Sequence, residues 1–504
     1  MSFPCPRCFT LCFLLLIPHI QVSASDSRPN IVVVLADDHA FEAISAYGSY
    51  LKDHARTPTI DRLAKEGMRF DNFVCGNSIC SPSRASILTG QYSHTNGVRG
   101  LGGAINDDSP QYPVSLQQAG YQTWLVGKWH LKSKPKGYEK HMTVKGQGSY
   151  FNPTFSGTEG EQVKRQGYST DAYTDIAMEW LKERDRSKPF LLSLQFKAPH
   201  HDYGHAERYD NLLADVTIPE PPTLYEDVRN TNSNLKRLFL GGTKFHMLYS
   251  GKPGGKKDPA TNYYERHLKD AAPNAMWEHD ANDDRDKIRV AYQHMMHKYI
   301  RCAQGNDDNL KRVLDYLDAE GLAENTIVIY TSDQGYWLGQ HGFYDKRLIL
   351  ETSMRMPFLI RYPKKIKAGS VNNDLCMNID IAPTLLRFAG IKPPKAMQGR
   401  SMTPLLKGNS VADWRKTQLY TYWGAPSHVG VRSDRYTYLK LGGPHQPELF
   451  DRQEDPEQRN NVYGDPEHAD AVRWLEQELQ QQLKDTNIAD HEIPGSPKRA
   501  QATR

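Results

Sequence analysis

Cys80-Ser81-Pro82-Ser83-Arg84 sets a thiol, two hydroxyls and a guanidinium within five residues, ahead of Ala85-Ser86-Ile87-Leu88-Thr89-Gly90. Pro82 early and Gly90 late mark a helix that Pro82 opens and Gly90 stops. Free backbone N–H groups at such a start, with Arg84 beside them, suit an anion. Elsewhere ionisable groups gather in short clusters: Asp37-Asp38-His39, Lys128-Trp129-His130, His200-His201 and Asp333-Gln334. Each has a plain structural reading as well. Paired acids after a strand often cap a helix, a lone cysteine before a helix is often only buried, and a surface histidine is often only solvated.

The elements that precede these clusters argue for a common place. Ile31 to Leu35, Trp124 to Val126, Phe190 to Phe196, Ile327 to Tyr330 and Pro357 to Ile360 are short, continuously apolar and β-branched, the pattern of strands buried on both faces. Helices are expected between them: from Thr57-Pro58 to Gly67, from Pro82 to Gly90, from Lys287 to Ala319 with a break at Gly305, and from Ile379 to Phe388. Strands alternating with helices predict an α/β fold, a large, mostly parallel sheet flanked by helices. Ligands of such sheets bind beyond the carboxyl ends of the strands. Four strands run directly into a cluster named above, so all four aim ionisable groups at one site.

Length and composition bound the rest. The 504 residues exceed a usual single core, with 38% hydrophobic and 24% charged residues and a formal charge of only +4. Lys and Arg are dispersed among nearly as many acids, which speaks against nucleic acid. Arg7, the run Leu11 to Ile17 and Val22-Ser23-Ala24 read as a signal peptide over residues 1–24, too short to span a membrane. Export to a secreted or periplasmic location follows, with no membrane span after signal removal. The mature chain keeps Cys75, Cys80, Cys302 and Cys376, too few for a disulfide scaffold. Tyr203 to Arg285 is polar and aperiodic and reads as insertion loops at the mouth of the site. From residue 409 the texture changes: Thr417 to Trp423 and Val429 to Leu441 alternate as strands, Pro447 to Asp451 adds another, and Ala469 to Leu483 is a helix. The expected organisation is a catalytic α/β domain over 25–408 and a smaller antiparallel α+β subdomain over 409–504, its tail mobile from Asp485.

Cys80-Ser81-Pro82-Ser83-Arg84 resembles the motif of the type I, formylglycine-dependent sulfatases of the alkaline phosphatase superfamily. The likeness extends over nearly the whole mature chain and is nearest to the carbohydrate-sulfatase branches. It continues in Arg28-Pro29-Asn30-Ile31 through Asp37-Asp38, in Gly127-Lys128-Trp129-His130, in Lys197-Ala198-Pro199-His200, in Thr331-Ser332-Asp333-Gln334-Gly335 and in Gly342-Phe343-Tyr344-Asp345-Lys346. The resemblance implies that a maturation enzyme oxidises Cys80 to an aldehyde. Its hydrate would attack sulfur, release the alcohol and then expel sulfate. It further implies a Ca²⁺ ion held by Asp37, Asp38, Asp333, Gln334 and the modified Cys80, all hard oxygen donors. Gln334 stands where the family usually has Asn or His, and its amide oxygen keeps the donor.

On the same resemblance Arg84 neutralises nucleophile and sulfate. Lys128 and His130 hydrogen-bond them, with His130 deprotonating the second hydroxyl, and Lys346 holds the sulfate. His200 is the general acid, since the leaving alkoxide must be protonated and an imidazole is tunable near neutral pH. Asp333 would take the nucleophile's proton. His201 could exchange roles with His200, and His341 could face the substrate. The implied activity is hydrolysis of sulfate esters on a sulfated carbohydrate. Two alternatives remain: a phosphodiesterase or phosphonate monoester hydrolase of the same superfamily, and a non-catalytic glycan-binding relative.

Overall fold

The computed structural model describes residues 28–242, 245–247, 263, 268 and 283–496, together with Met1. Apart from Met1, the signal peptide expected over residues 1–24 lies outside the described residues, as does most of the stretch from 243 to 282.

Among the described residues ten strands form the main sheet, in the spatial order Ser370–Asn372, Met68–Phe70, Phe358–Arg361, Thr326–Ser332, Asn30–Ala36, Phe190–Gln195, Gln122–Lys128, Lys140–Val144, Thr154–Gly157 and Gln162–Lys164. The five from Thr326–Ser332 to Lys140–Val144 run parallel. Their alternate residues serve two cores. Ile31, Val33, Leu35, Ile327 and Ile329 face the layer holding the helices Cys80–Thr89 and Ile381–Phe388. Val32, Val34, Ala36, Val328 and Tyr330 face the helices Pro58–Glu66, Ser169–Glu183 and Asp284–Ala319. Burial on both faces is why these strands read as unbroken apolar runs. The arrangement is the expected α/β sheet.

Several expectations change in detail. Phe358–Arg361 runs antiparallel to Thr326–Ser332. The edge strands were not foreseen, because they are short and partly exposed and carry little apolar signal. The Cys80 helix begins at Cys80 rather than Pro82, with Ser83 N donating to Ile79 O at 3.1 Å. The helix Asp284–Ala319 passes unbroken through Gly305. A Cβ there would lie 2.9 Å from Tyr168 Cε1, so close packing and not a bend accounts for the glycine.

Tyr203 to Arg285 is not loop throughout. Asn234–Gly242 is a helix whose Leu235, Phe239 and Leu240 are buried in the C-terminal core, and Glu448 accepts from Leu235 N at 3.0 Å. The second sheet orders Thr417–Tyr422, His428–Ser433, Tyr436–Leu441 and Glu448–Asp451, all antiparallel. What reads as one strand from Val429 to Leu441 is thus a hairpin turning near Asp434. The helix Ala469–Asp485 covers this sheet with Leu475, Leu479 and Leu483, one helical face at intervals of four. Each such leucine contributes about 2 kcal/mol by burial. Within the tail expected to be mobile from Asp485, Ile488 is buried and Trp423 Nε1 donates to Glu492 O at 2.9 Å, and residues 497–504 lie outside the described residues. Cys75, Cys80, Cys302 and Cys376 are all buried and free. Among the described residues, no helix is long and apolar enough to cross a membrane.

Gly127, beside Lys128 at the end of its strand, has φ +110°, and a Cβ there would lie 2.0 Å from the carbonyl oxygen of Gln195 in the neighbouring strand. Gly127→Ala is therefore expected to lower unfolding stability by about 3 kcal/mol or more. A shifted urea midpoint at unchanged slope checks this, and a midpoint equal to wild type rules it out.

Candidate active site

Asp37 and Asp38 follow Asn30–Ala36, Lys128 ends Gln122–Lys128, His200 lies five residues past Phe190–Gln195, and Asp333 follows Thr326–Ser332. Backbone bonds fasten these ends together: Asp37 N donates to Ala198 O at 3.3 Å and Asp333 N to Ala36 O at 3.2 Å. The Cys80 helix brings its first residue to the same place, with Cys80 Sγ 3.5 Å from Asp37 Oδ1. Asp37, Cys80 and His200 offer polar atoms that all lie within 4.8 Å of one another, and so do Asp37, Asp38 and Asp333.

Each carboxylate meets its own cation. Lys128 Nζ donates to Asp37 Oδ2. Arg84 Nε donates to Asp333 Oδ2 at 2.9 Å, and Lys346 Nζ reaches Asp38 at 2.7 and 2.6 Å. All six side chains are buried. Burial alone would raise every one of these carboxyls. At Asp37 the charges of Lys128, His200, Arg84 and Lys346 prevail and hold it well below the usual range. At Asp38 burial prevails over Lys346, helped by the negative charges of Asp37 and Asp333, and its pKa is pushed up to about 8. Burial, then Asp37, also pushes Asp333 upward. Three carboxylates and three cations balance in formal charge, and it is burial first, with the neighbouring carboxylates adding to it, that raises Asp38 and Asp333 and would favour a proton or a further cation beside them.

Gln334 Nε2 donates to Asp38 Oδ1, and its buried Oε1 has no hydrogen-bond partner. Three carboxylates and an unpartnered amide oxygen make an all-oxygen donor set that fits a hard divalent cation.

The histidines separate by position. His200 Nε2 stands 3.7 Å from Asp38 Oδ2 and lines the pocket above Cys80. His201 turns its Nδ1 to Asp202 at 3.1 Å and stacks on Tyr344, with ring centroids 5.8 Å apart, at the pocket wall. His130 is held by its carbonyl, which accepts from Ser81 Oγ at 2.6 Å, and burial, then Lys128 and Arg84, presses its pKa down to about 3. His341 corrects the expectation that it could face the substrate. It is buried against Glu226, with Nδ1 2.7 Å from Oε2, because Glu226 sits between it and Lys236 in a closed polar cluster.

Supports invisible as motifs complete the site. Gln195 Oε1 accepts from Arg84 Nη1 at 3.0 Å, and Tyr299 OH donates to Asp38 O at 2.6 Å. Asp38, His130, Asp345 and Arg347 hold positive φ of +67°, +55°, +118° and +100°. Such backbone strain clusters where side chains must be aimed against preference. The pocket holds about 200 Å³, and its wall adds Leu101, Gln147, Phe245 and Arg347. Of these only Arg347, next to Lys346, stands beside a sequence signal.

Residues 29–391 match the family model described as Sulfatase, and residues 339–485 that described as N-sulphoglucosamine sulphohydrolase, C-terminal. An N-acetylglucosamine-6-O-sulfatase of Bacteroides thetaiotaomicron is 37% identical over 505 residues, covering 92% of this chain and 88% of its own. A solved structure of a protein in complex with its substrate D-glucosamine-2-N,6-O-disulfate aligns at 35% identity and TM-score 0.81, over 92% of this chain and 99% of the other. A phosphonate monoester hydrolase from Silicibacter pomeroyi, 21% identical at TM-score 0.71 over 91% and 96% of the two chains, shows the shared fold alone. The match spans the clustered strand ends and most of the chain besides, and the chain accordingly belongs to the sulfatase family of sulfuric ester hydrolases.

Proposed function

We propose that this enzyme removes sulfate from a sulfated carbohydrate, of the 6-O-sulfated glucosamine kind on which its relatives act, using Cys80 as formylglycine and a calcium ion. The observation that carries the reading is the convergence of Cys80, Arg84, Lys128, His200 and Lys346 on one buried carboxylate cluster. Cys80 itself is a poor nucleophile as a thiol, because burial drives its pKa far upward. Oxidised to an aldehyde, it would supply as its hydrate a hydroxyl that C–O cleavage can regenerate. Cys80 is only 1% exposed, so a maturation enzyme would act on the chain before it folds.

Asp37, Asp38, Asp333 and Gln334 would hold the calcium, together with the modified Cys80. The ion would supply positive charge for an ester oxygen and for the hydroxyl nucleophile. The chain's own residues do the rest. Arg84, Lys128 and Lys346 bind the sulfate oxygens in a site that excludes water, where each charge–charge contact strengthens. Asp333, its pKa raised by burial, takes the nucleophile's proton. His200 donates to the departing alkoxide. Burial, with the neighbouring lysines, presses its pKa down, and a sulfate placed among those lysines offsets their charge and favours the imidazolium. His130, neutral with its Nδ1 unpartnered, accepts the proton of the second hydroxyl as sulfate leaves. The leader expected over residues 1–24 would deliver the enzyme to a secreted or periplasmic location, where such glycans are met.

Cys80→Ala is expected to keep the wild-type circular dichroism spectrum and lose about a thousandfold or more in kcat on a 6-O-sulfated glucosamine. Full activity in that variant would sink the nucleophile assignment, and peptide mass across residue 80 reports the aldehyde directly. Parallel assays with phosphate diesters and phosphonate monoesters are expected to give far lower kcat/KM, and the reverse ranking would overturn the substrate class. For calcium the readout is stability: chelator-treated Cys80→Ala protein should gain about 2.7 kcal/mol when calcium reaches a hundred times its Kd. Asp38→Asn should abolish that gain, and an unchanged Tm with calcium would refute the metal assignment.

A further inference from the structure

The charged floor of the pocket binds sulfate and is blind to the alcohol that carries it. Whatever reads the alcohol must line the same pocket yet stay outside the ion network. Leu101 and Gln147 meet both conditions. Leu101 is 51% exposed and joins none of the hydrophobic clusters among the described residues, so the described core gains nothing from its bulk. Gln147 keeps a shielded Oε1 with no hydrogen-bond partner. A shielded acceptor left unpaired is costly, and a ligand donor would recover that cost.

Both side chains sit on tight tips between glycines, Gly100 and Gly102 around Leu101, Gly146 and Gly148 around Gln147. A Cβ at Gly100 or Gly146 would meet nothing within 4 Å, so crowding does not explain those glycines. The left-handed φ of +74° at Gly102 and +58° at Gly146 does require a sharp turn at each tip. Firm roots hold both turns, with Lys132 N donating to Gly103 O at 3.1 Å and Gly148 N to Lys145 O at 3.0 Å.

A branched apolar group and a neutral amide oxygen complement a pyranose ring, which offers an apolar C–H face and hydroxyl or acylamino donors. We propose that Leu101 and Gln147 are specificity-determining contacts for the sugar ring bearing the sulfate, Leu101 packing on its C–H face and Gln147 Oε1 accepting from a ring hydroxyl or acylamino N–H. This rests on the carbohydrate reading above.

The test compares wild type, Leu101→Ala and Gln147→Ala on 6-O-sulfated N-acetylglucosamine and on 4-nitrocatechol sulfate, an aryl ester without a sugar ring. Each variant is expected to lose about tenfold in kcat/KM on the sugar, chiefly through KM, and less than about twofold on the aryl ester. Unchanged sugar kinetics in both variants overturns the inference alone. Equal losses on the two esters do so as well, since they would mark a general structural role. A wild-type enzyme that turns over only the aryl ester overturns the carbohydrate reading and this inference with it.

Discussion

Three carboxylates buried at the ends of neighbouring parallel strands need positive charge beside them, and the site is organised by how that charge arrives. An unpaired ion in such a place costs several kcal/mol. Arg84 comes from a helix, Lys128 from a strand end and Lys346 from a loop, each answering a different aspartate. Since the pairs come from three segments far apart in sequence, the ion network forms only when the fold is complete. Of these cations Lys346 also lines the pocket that Cys80 borders. Charge that pairs with a carboxylate there is also placed to meet an anion in the pocket, while burial raises the pKa of Asp38 and of Asp333 despite their paired cations.

The C-terminal sheet has a part in this that its distance in sequence conceals. Tyr420 OH donates to Arg347 O at 2.7 Å, His428 Nε2 accepts from Ile349 N at 3.1 Å, and Arg432 pairs with Glu351 at 2.8 Å. These bonds hold the strained segment that begins at Asp345 and so aim Lys346 into the site. The long helix Asp284–Ala319 acts on the other side through Tyr299, whose hydroxyl both donates to Asp38 O and accepts from Ala40 N at 2.8 Å. Rigid elements on both flanks thus determine side-chain positions at strand ends, which is what preorganised electrostatics demands.

How much of this could be read from residues alone varies with the kind of signal. The central strands were legible because two-sided burial leaves unbroken runs such as Ile31 to Leu35, whereas the edge strands between Lys140 and Lys164 are short and partly exposed and leave no such run. The helix Asn234–Gly242 was missed because its partner surface belongs to a sheet two hundred residues further on, supplied by residues such as Leu449 and Phe450. His341 stands near Lys346 in sequence yet faces Glu226, since its own left-handed φ of +56° turns it away.

Residue types and spacing by themselves determined the α/β class, the gathering of ionisable groups at strand ends and the motif around Cys80, because hydrophobic period and local turn chemistry act over a few residues. Which cation answers which carboxylate, which of two adjacent histidines reaches Asp38, and that Leu101 and Gln147 share a wall with Cys80 were decided only by tertiary structure. Those relations depend on distances between segments tens to hundreds of residues apart, and only the packed sheet and its helices set such distances.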